Sequence, residues 1–266
     1  MIPLDDSKEA FVTERIVNAT MTDAIAWEAR KRKPLPVRIM RNVLRFPRRT
    51  AESLSRLWNP VYRLERRARR DMAHRLSISR RQELKTLKGT SSVKECSLLA
   101  YLATQAPAGG AIVEIGTWKG KTAAWLVEGS QLRPDPLPLV TIDPHEFGSW
   151  PDFQAAVAQL RLDARGLTAL RAGSAIVGKS WTQPISLLWI DGSHDYADVR
   201  ADIENFVPHV VPRGYVVFDD ASEGLFPGVE RAIAELMIGR AGFRRLGVVR
   251  HLDLFVRSAE AATKAA

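Results

Sequence analysis

The chain has 266 residues, of which 45% are hydrophobic and 8% aromatic, and its formal net charge is +9. This composition is typical of a globular protein with a sizeable core, in one large domain plus an extension. The single cysteine, Cys96, excludes an internal disulfide. Together with the lack of an apolar run of signal-peptide or transmembrane length, it indicates a cytoplasmic protein.

The positive charge is concentrated in the N-terminal third. Residues 1–90 carry 22 Lys and Arg against 10 Asp and Glu, a net +12, whereas residues 91–266 carry 17 against 20, a net −3. We therefore predict a basic helical extension over 1–90 and a separate domain over 91–266.

Apolar residues in the extension recur at helical spacing, which predicts amphipathic helices with an arginine-rich outer face. They are Leu54, Leu57, Val61 and Leu64, after Thr50 as a candidate N-cap. Such a face suits an anionic membrane surface, an acidic substrate or nucleic acid. It is equally explained as a solvated cap over an active site or as a contact between the two copies of a homodimer.

From about residue 93 the pattern alternates between helix and strand. Helices are predicted in SVKECSLLAYLATQA, KGKTAAWLVEG, DFQAAVAQLRLDA, DYADVRADIENFVPHV and GVERAIAELMIG; strands are predicted in AIVEIG, LVTID, LTALRAGS, ISLLWIDG, GYVVFDD, FRRLGVV and LDLFVRS. This alternation predicts a doubly wound, Rossmann-like α/β domain with a mostly parallel seven-stranded sheet. The last two strands are too close together for a crossover helix, so the final strand should be antiparallel.

The segment VEIGTWKGKT ends like a phosphate-binding loop but has the wrong spacing. Such a loop has four residues between its glycines, whereas Gly116 and Gly120 are separated by three. A dinucleotide-binding turn needs a glycine at 118, where the chain has Trp118. The segment is therefore a strand, a glycine turn and a helix for another ligand, or a plain turn without one.

Polar residues and glycines follow each of the first five predicted strands, where ligands bind in this architecture. In strand order they are Glu114 and Gly116; Asp143; Gly173 and Ser174; Asp191; and Asp219 with Asp220.

Over residues 93–258 the chain resembles the class I S-adenosylmethionine-dependent methyltransferases. In that family the first strand leads into an acidic-x-Gly-x-x-x-Gly loop, which Glu114, Gly116 and Gly120 match, with Thr117 inside it. The resemblance implies that this loop binds the cofactor. It further implies that cofactor contacts are made by Asp143 on the ribose hydroxyls, by Gly173 and Ser174 beside the adenine, and by Asp191.

The stretch LLWIDGSHDYADVRADIENFVPHVVPRGYVVFDD is similar to a narrower group that includes catechol O-methyltransferase and macrocin-type sugar O-methyltransferases. In that group the acids closing the fourth and fifth strands hold magnesium, which implies a metal site at Asp191, Asp219 and Asp220. The alternative is that these acids cap a helix or turn in an enzyme that works without metal.

His194 lies three residues after Asp191, where catechol O-methyltransferase has its catalytic lysine. The resemblance implies catalytic roles for His194 and Asp191, with the imidazole as general base. A histidine that ligates the metal or only bonds a loop is the alternative. Trp118 and Trp181 are candidates for stacking on the cofactor or packing in the core, and His145 could touch the cofactor or the substrate.

These observations predict an S-adenosylmethionine-dependent O-methyltransferase that acts on a hydroxyl of a small molecule or sugar, assisted by Mg²⁺. Two alternatives stay open. One is a nucleic-acid methyltransferase that uses the basic extension. The other is a non-catalytic binding protein at the membrane periphery.

Overall fold

The computed structural model describes residues 60–222 and 224–259. Its helices are α1 (Pro60–Arg75), α2 (Ile78–Thr86), α3 (Val93–Gln105), α4 (Lys121–Gln131), α5 (Trp150–Leu160), α6 (Ser174–Gly178), α7 (Tyr196–Phe206) and α8 (Pro227–Leu236). Its strands are β1 (Ala111–Ile115), β2 (Leu139–Ile142), β3 (Leu167–Leu170), β4 (Ile185–Ile190), β5 (Val210–Phe218), β6 (Phe243–Val249) and β7 (Leu252–Arg257). The predicted N-cap Thr50 and the apolar positions Leu54 and Leu57 lie outside the described residues.

The seven strands form one sheet in the order β3-β2-β1-β4-β5-β7-β6. The pairs among β3, β2, β1, β4 and β5 are parallel, and β7 is antiparallel to both β5 and β6. The predicted mostly parallel, seven-stranded Rossmann-like sheet with an antiparallel last strand is confirmed.

The register aligns the carboxyl ends of the central strands. Ile115 pairs with Ile142 of β2 and with Ile190 of β4, and Ile190 pairs with Phe218 of β5. The residues that follow these four positions therefore emerge at one edge of the sheet.

Alternate residues of β4 belong to two separate cores, one on each face of the sheet. Leu187 and Trp189 pack with α3 and α4, whereas Leu188 and Ile190 pack with α7 and α8. Because side chains alternate along a strand, a strand covered on both faces is apolar throughout. All six residues of β4 are buried.

Helices α1 and α2 pack into the same core as α3 and α4. Val61, Ala68 and Met72 of α1 and Leu84 of α2 are each at most 1% exposed. From Pro60 onward, the extension predicted for residues 1–90 thus contributes to the core of the α/β domain. The division of the chain into an extension over 1–90 and a domain over 91–266 stays a prediction.

Local signals explain where two of the helices begin. Ser92 accepts a hydrogen bond from the backbone N–H of Glu95, whose side chain accepts one from Ser92, so α3 starts with a reciprocal capping box. Ser77 caps α2 by accepting the N–H of Arg80. Within the described ranges, no helix has the length and apolar character needed to cross a bilayer.

Candidate active site

Glu114 of β1 organises the glycine turn from inside the protein. Its side chain is fully buried and accepts hydrogen bonds from the hydroxyls of Thr117, at 2.6 Å, and Thr122. Burial raises the pKa of Glu114 to about 7, although the two threonine hydroxyls oppose that rise. Both carboxyl oxygens hold the loop, so direct contact of Glu114 or Thr117 with a cofactor stays a prediction.

Gly116 stands where the backbone ends of β1 and β4 meet. Its φ is 84°, and a Cβ built there would lie 2.1 Å from the carbonyl oxygen of Asp191. Only glycine fits this position without moving a strand. Gly120 has a φ of 82° and begins α4, and a Cβ there would lie 3.0 Å from the Phe153 ring. The first glycine is therefore required by the approach of two strands, whether or not a ligand is bound.

Asp143, after β2, fixes two loops through its carboxylate. One oxygen accepts the backbone N–H of Trp118 at 2.7 Å, and the other accepts that of His145 at 2.6 Å. Trp118 and His145 have positive φ values, 46° and 58°, a backbone conformation that residues other than glycine rarely adopt. The two hydrogen bonds to Asp143 support it. Each oxygen keeps a second lone pair, and the side chain is 13% exposed, so it remains able to accept bonds from a diol.

The loop after β2 contains an aromatic cluster that the sequence did not reveal. The buried His145 ring lies 4.8 Å from Trp150 and 5.0 Å from Phe153, and its Nδ1 is 2.8 Å from the hydroxyl of Ser149. Burial lowers the pKa of His145, which favours a neutral ring. Because Phe153 also lies next to Gly120, this cluster packs against the glycine turn, and His145 contributes to that packing.

Two acids at the ends of β4 and β5 are coupled. Burial, followed by repulsion from Asp219, raises the pKa of Asp191 well above its usual value. Burial also raises the pKa of Asp219 to about 6, with a further rise from the neighbouring Asp220. Both carboxyls are therefore easier to protonate than free aspartates.

His194 pairs with the other acid of the β5 end. Its Nε2 lies 3.0 Å from Asp220 Oδ2, and its ring stacks on Phe226 with centroids 4.0 Å apart. The His194 side chain is 41% exposed. The carboxylate on Nε2 leaves Nδ1 as the nitrogen that can accept a proton from a ligand. The sheet has thus brought His194, Asp220 and the Asp191–Asp219 pair together at one edge.

A family model described as a methyltransferase domain matches residues 113–221. The match begins in β1 and ends just after Asp220, so it contains the glycine turn, Asp143 and all three acids of the β4 and β5 ends. The methyltransferase resemblance seen in the sequence is confirmed.

Solved structures with the same fold include three methyltransferases. They are Podospora anserina PaMTH1 bound to SAH (14% identity, TM-score 0.55, 68% of this chain and 86% of that chain), the Bacillus cereus O-methyltransferase in complex with SAH (17%, 0.53, 69% and 92%), and the O-methyltransferase TomG of Streptomyces achromogenes in complex with SAM (19%, 0.51, 66% and 85%). At these identities the likeness is one of fold.

Two curated relatives are uncharacterized proteins. R132 of Acanthamoeba polyphaga mimivirus is 27% identical over 139 residues, which cover 48% of this chain, and y4gI of Sinorhizobium fredii is 50% identical over 36 residues, or 14% of this chain. The matched parts span 61% and 4% of the lengths of these two relatives.

One surface beside the glycine turn was not predicted from the sequence. The α2–α3 loop, residues 87–92, faces the glycine turn across an open cleft. The residues that line it are Gly89, Thr90, Ser91, Gly116, Thr117, Trp118, Lys119, Lys121, Thr122 and Asp191. Lys88 Nζ ties the loop to Asp152 at 2.7 Å. The run of small polar residues before the Ser92 capping box was its only signal in the sequence.

The turn after β3 and the tryptophans have distinct surroundings. Gly173 begins the short helix α6, and a Cβ there would meet nothing within 4 Å. Ser174 lowers the pKa of the buried Asp202 of α7, against the larger opposite effect of burial. Trp181 packs against Phe206 and donates to a backbone carbonyl, so it is a core residue, whereas Trp118 is exposed beside the turn.

The magnesium expectation is not supported by the arrangement of the acids. Ligand oxygens of a divalent ion must be deprotonated. Here burial raises the pKa values of Asp191 and Asp219, and Asp220 lies 3.0 Å from His194. Over the part of the chain that the structure describes, no group of three His, Cys, Asp or Glu side chains is placed to hold a metal ion. A magnesium site at these three acids stays a prediction.

Proposed function

We propose that the chain is an S-adenosylmethionine-dependent O-methyltransferase that acts on a hydroxyl of a small molecule or sugar. The observation that carries this proposal is the His194–Asp220 pair, which lies at the carboxyl ends of β4 and β5. Two of the solved structures that share the fold are O-methyltransferases by name.

The residues of the cleft fit S-adenosylmethionine. Asp143 has free lone pairs for the ribose hydroxyls, and Gly173 leaves open space where an adenine ring would approach the turn. The cleft between the α2–α3 loop and the glycine turn takes the amino-acid end. When bound, the cofactor supplies an electrophilic methyl group on a sulfonium.

His194 supplies the base. With the cofactor bound, His194 Nδ1 would take the proton of the acceptor hydroxyl as that oxygen receives the methyl group. Asp220 holds the imidazole by its other nitrogen and stabilises the imidazolium that forms. Phe226 fixes the plane of the ring through stacking.

Cofactor binding is tested first, by calorimetry with S-adenosylhomocysteine. Wild type should bind, and Asp143→Ala should bind at least tenfold more weakly, since a ribose diol loses a charged acceptor (about 1.5–3 kcal/mol). Asp135→Ala, an exposed loop acid outside the site, is the matched control. Wild-type protein that shows no binding at all contradicts the proposed function.

Turnover is tested by transfer of a labelled methyl group to a panel of phenols, catechols and free or nucleotide-linked sugars. On the best acceptor, His194→Ala should lower kcat by about 10²–10⁴ with cofactor affinity unchanged, the usual range for a general base. His74→Ala, an exposed histidine on α1, is the control. Equal turnover of wild type and His194→Ala rules out the base. Cofactor binding without turnover on any hydroxyl favours a non-catalytic binding protein.

We further propose that α1 contacts an anionic lipid surface and so holds the enzyme at the membrane periphery. Arg66, Arg69 and Arg70 are exposed, and no described carboxylate lies within 4 Å of their side chains. Such a polybasic face gains about 1 kcal/mol per residue near an anionic bilayer. The described part of α1 and α2 presents no exposed Phe, Tyr or Trp side chain for stacking on bases, which disfavours single-stranded nucleic acid.

Flotation with phosphatidylglycerol vesicles, and with phosphatidylcholine as control, tests this surface. The triple change of Arg66, Arg69 and Arg70 to Gln should abolish binding, whereas Gln at Arg161, Arg200 and Arg231, an equal loss of charge elsewhere, should not. Wild type that ignores both vesicles and binds RNA with a steep salt dependence supports the nucleic-acid alternative. Binding to neither, with a dimer in sedimentation, assigns the face to a homodimer.

A further inference from the structure

The loop that carries Asp220 is held by the turn between β6 and β7. The backbone N–H of Ala221 donates to the carbonyl of His251 at 2.9 Å, and the hydroxyl of Ser222 donates to the carbonyl of Arg250 at 2.9 Å. Asp220 itself has a φ of 50°. A conformation that costs of order 1–3 kcal/mol persists only where its surroundings enforce it, and these two bonds do so.

The β6–β7 turn is in turn held by α1. Arg250 also has a positive φ, 58°, and its Nε donates to Glu65 Oε1 at 3.0 Å. The Glu65 side chain is 6% exposed and the Arg250 side chain 31%. Glu65 lies on the buried face of α1 with Val61, Ala68 and Met72, so the helix core fixes its position.

We propose that Glu65 and Arg250 are positioning residues that set the geometry of the Asp220–His194 pair. The connection runs from Glu65 to Arg250, then through the turn carbonyls to Ala221 and Ser222, which follow Asp220. This inference rests on the proposed function, because that function makes His194 the general base and Asp220 the residue that holds it. Glu65, which lies within the predicted basic extension, thereby helps to position the catalytic pair.

A second buried acid provides a matched comparison. Glu128 of α4 is 5% exposed and accepts bonds from Arg80 and Arg165, but neither it nor its partners contact the β5 end. Loss of Glu128 therefore removes a buried ion pair without touching the Asp220 loop. A loss of kcat that is seen only in the Glu65 variant must therefore come from the position of its partner, Arg250, in the β6–β7 turn.

The experiment compares Glu65→Gln with Glu128→Gln on the best acceptor. Glu65→Gln should lower kcat about 10- to 100-fold, since a displacement near 1 Å at a reacting group costs that much. Its affinity for S-adenosylhomocysteine should stay within about twofold of wild type, because the β1 and β2 ends are untouched. Glu128→Gln should lower the melting temperature at least as much and keep kcat. Equal losses of kcat in both variants overturn the proposal.

Two further variants keep the proposal testable if Glu65→Gln does not fold. Ser222→Ala removes only one bond to the turn and should lower kcat about threefold, the worth of a modest hydrogen bond. Arg250→Lys should recover much of the kcat that Arg250→Met loses, because the bond to Glu65 is a single one. Full kcat in both Ser222→Ala and Arg250→Met overturns the proposal. Full kcat in His194→Ala instead removes the base on which it rests.

Discussion

A comparison of Gly116 with Gly173 distinguishes what the fold requires from what cofactor binding requires. Because a Cβ there meets the Asp191 carbonyl at 2.1 Å and φ is 84°, Gly116→Ala should lower the free energy of unfolding by about 1–3 kcal/mol. Gly173→Ala, with ordinary φ and open space around it, should change that free energy by at most about 1 kcal/mol. Urea unfolding measures both.

The same two variants differ in what their cofactor affinity means. A lower affinity of stable Gly173→Ala for S-adenosylhomocysteine reports contact with the ligand, whereas Gly116→Ala loses binding because Asp191 is displaced. Gly116→Ala with wild-type stability contradicts the strand approach described here.

The contact of Asp220 with His194 leads to a prediction about metal. We expect EDTA to leave wild-type turnover unchanged. Asp191→Asn leaves the Asp220–His194 pair intact, so it should lose less kcat than Asp220→Asn, which removes the charge that faces His194. Turnover that falls in EDTA and returns with Mg²⁺ reverses this prediction and reinstates the three acids as ligands.

At the scale of elements, the sequence predicted the helices and strands whose apolar pattern runs over many consecutive residues. The buried strands, α3, α4, α5, α7 and α8 follow from apolar periodicity, and acids at strand ends follow from the parallel topology. The helix α6 was missed because its five residues are too few to show a period.

Contacts between distant segments were beyond the sequence for a different reason. The α2–α3 loop reaches the glycine turn only through tertiary packing. The sequence also could not decide whether Asp219 or Asp220 meets His194, since neighbouring residues at a strand end point in different directions.

Helix α1 packs as an integral part of the domain core. Met72 is 1% exposed in the core that α1 shares with α3 and α4, so Met72→Ala should cost about 2–5 kcal/mol of stability. His74→Ala, exposed on the same helix, should change stability by less than about 0.5 kcal/mol. Thermal unfolding of both variants checks this, and equal melting temperatures contradict the packing of α1.

At the scale of the whole molecule, buried acids make stability depend on pH. Burial raises the pKa of Glu114 and of Asp202 to about 7, and that of Asp219 to about 6. Their folded pKa values exceed the unfolded ones, so the unfolded chain loses these protons first. The stability that these groups contribute should therefore be fully present below their unfolded pKa values, about 4, and should be lost as pH rises through about 6 to 7.

Asp202→Asn isolates one of these groups, because its carboxyl is 1% exposed and one oxygen has no partner among the described residues. The fall in urea midpoint from pH 5 to pH 8 should be smaller than in wild type. The exposed Asp135→Asn should retain the wild-type slope. An unchanged slope in Asp202→Asn places the pH dependence elsewhere.

The position of β7 has a consequence for synthesis. β7 follows β5 and β6 in the chain but lies between them in the sheet, so β6 has no strand to join until β7 leaves the ribosome. Until then the open edge of β5 is exposed to other nascent chains, a known hazard for unpaired strands. Folding of this region should therefore wait for β7, and ribosomes stalled before Leu252 should display an incomplete, protease-sensitive sheet.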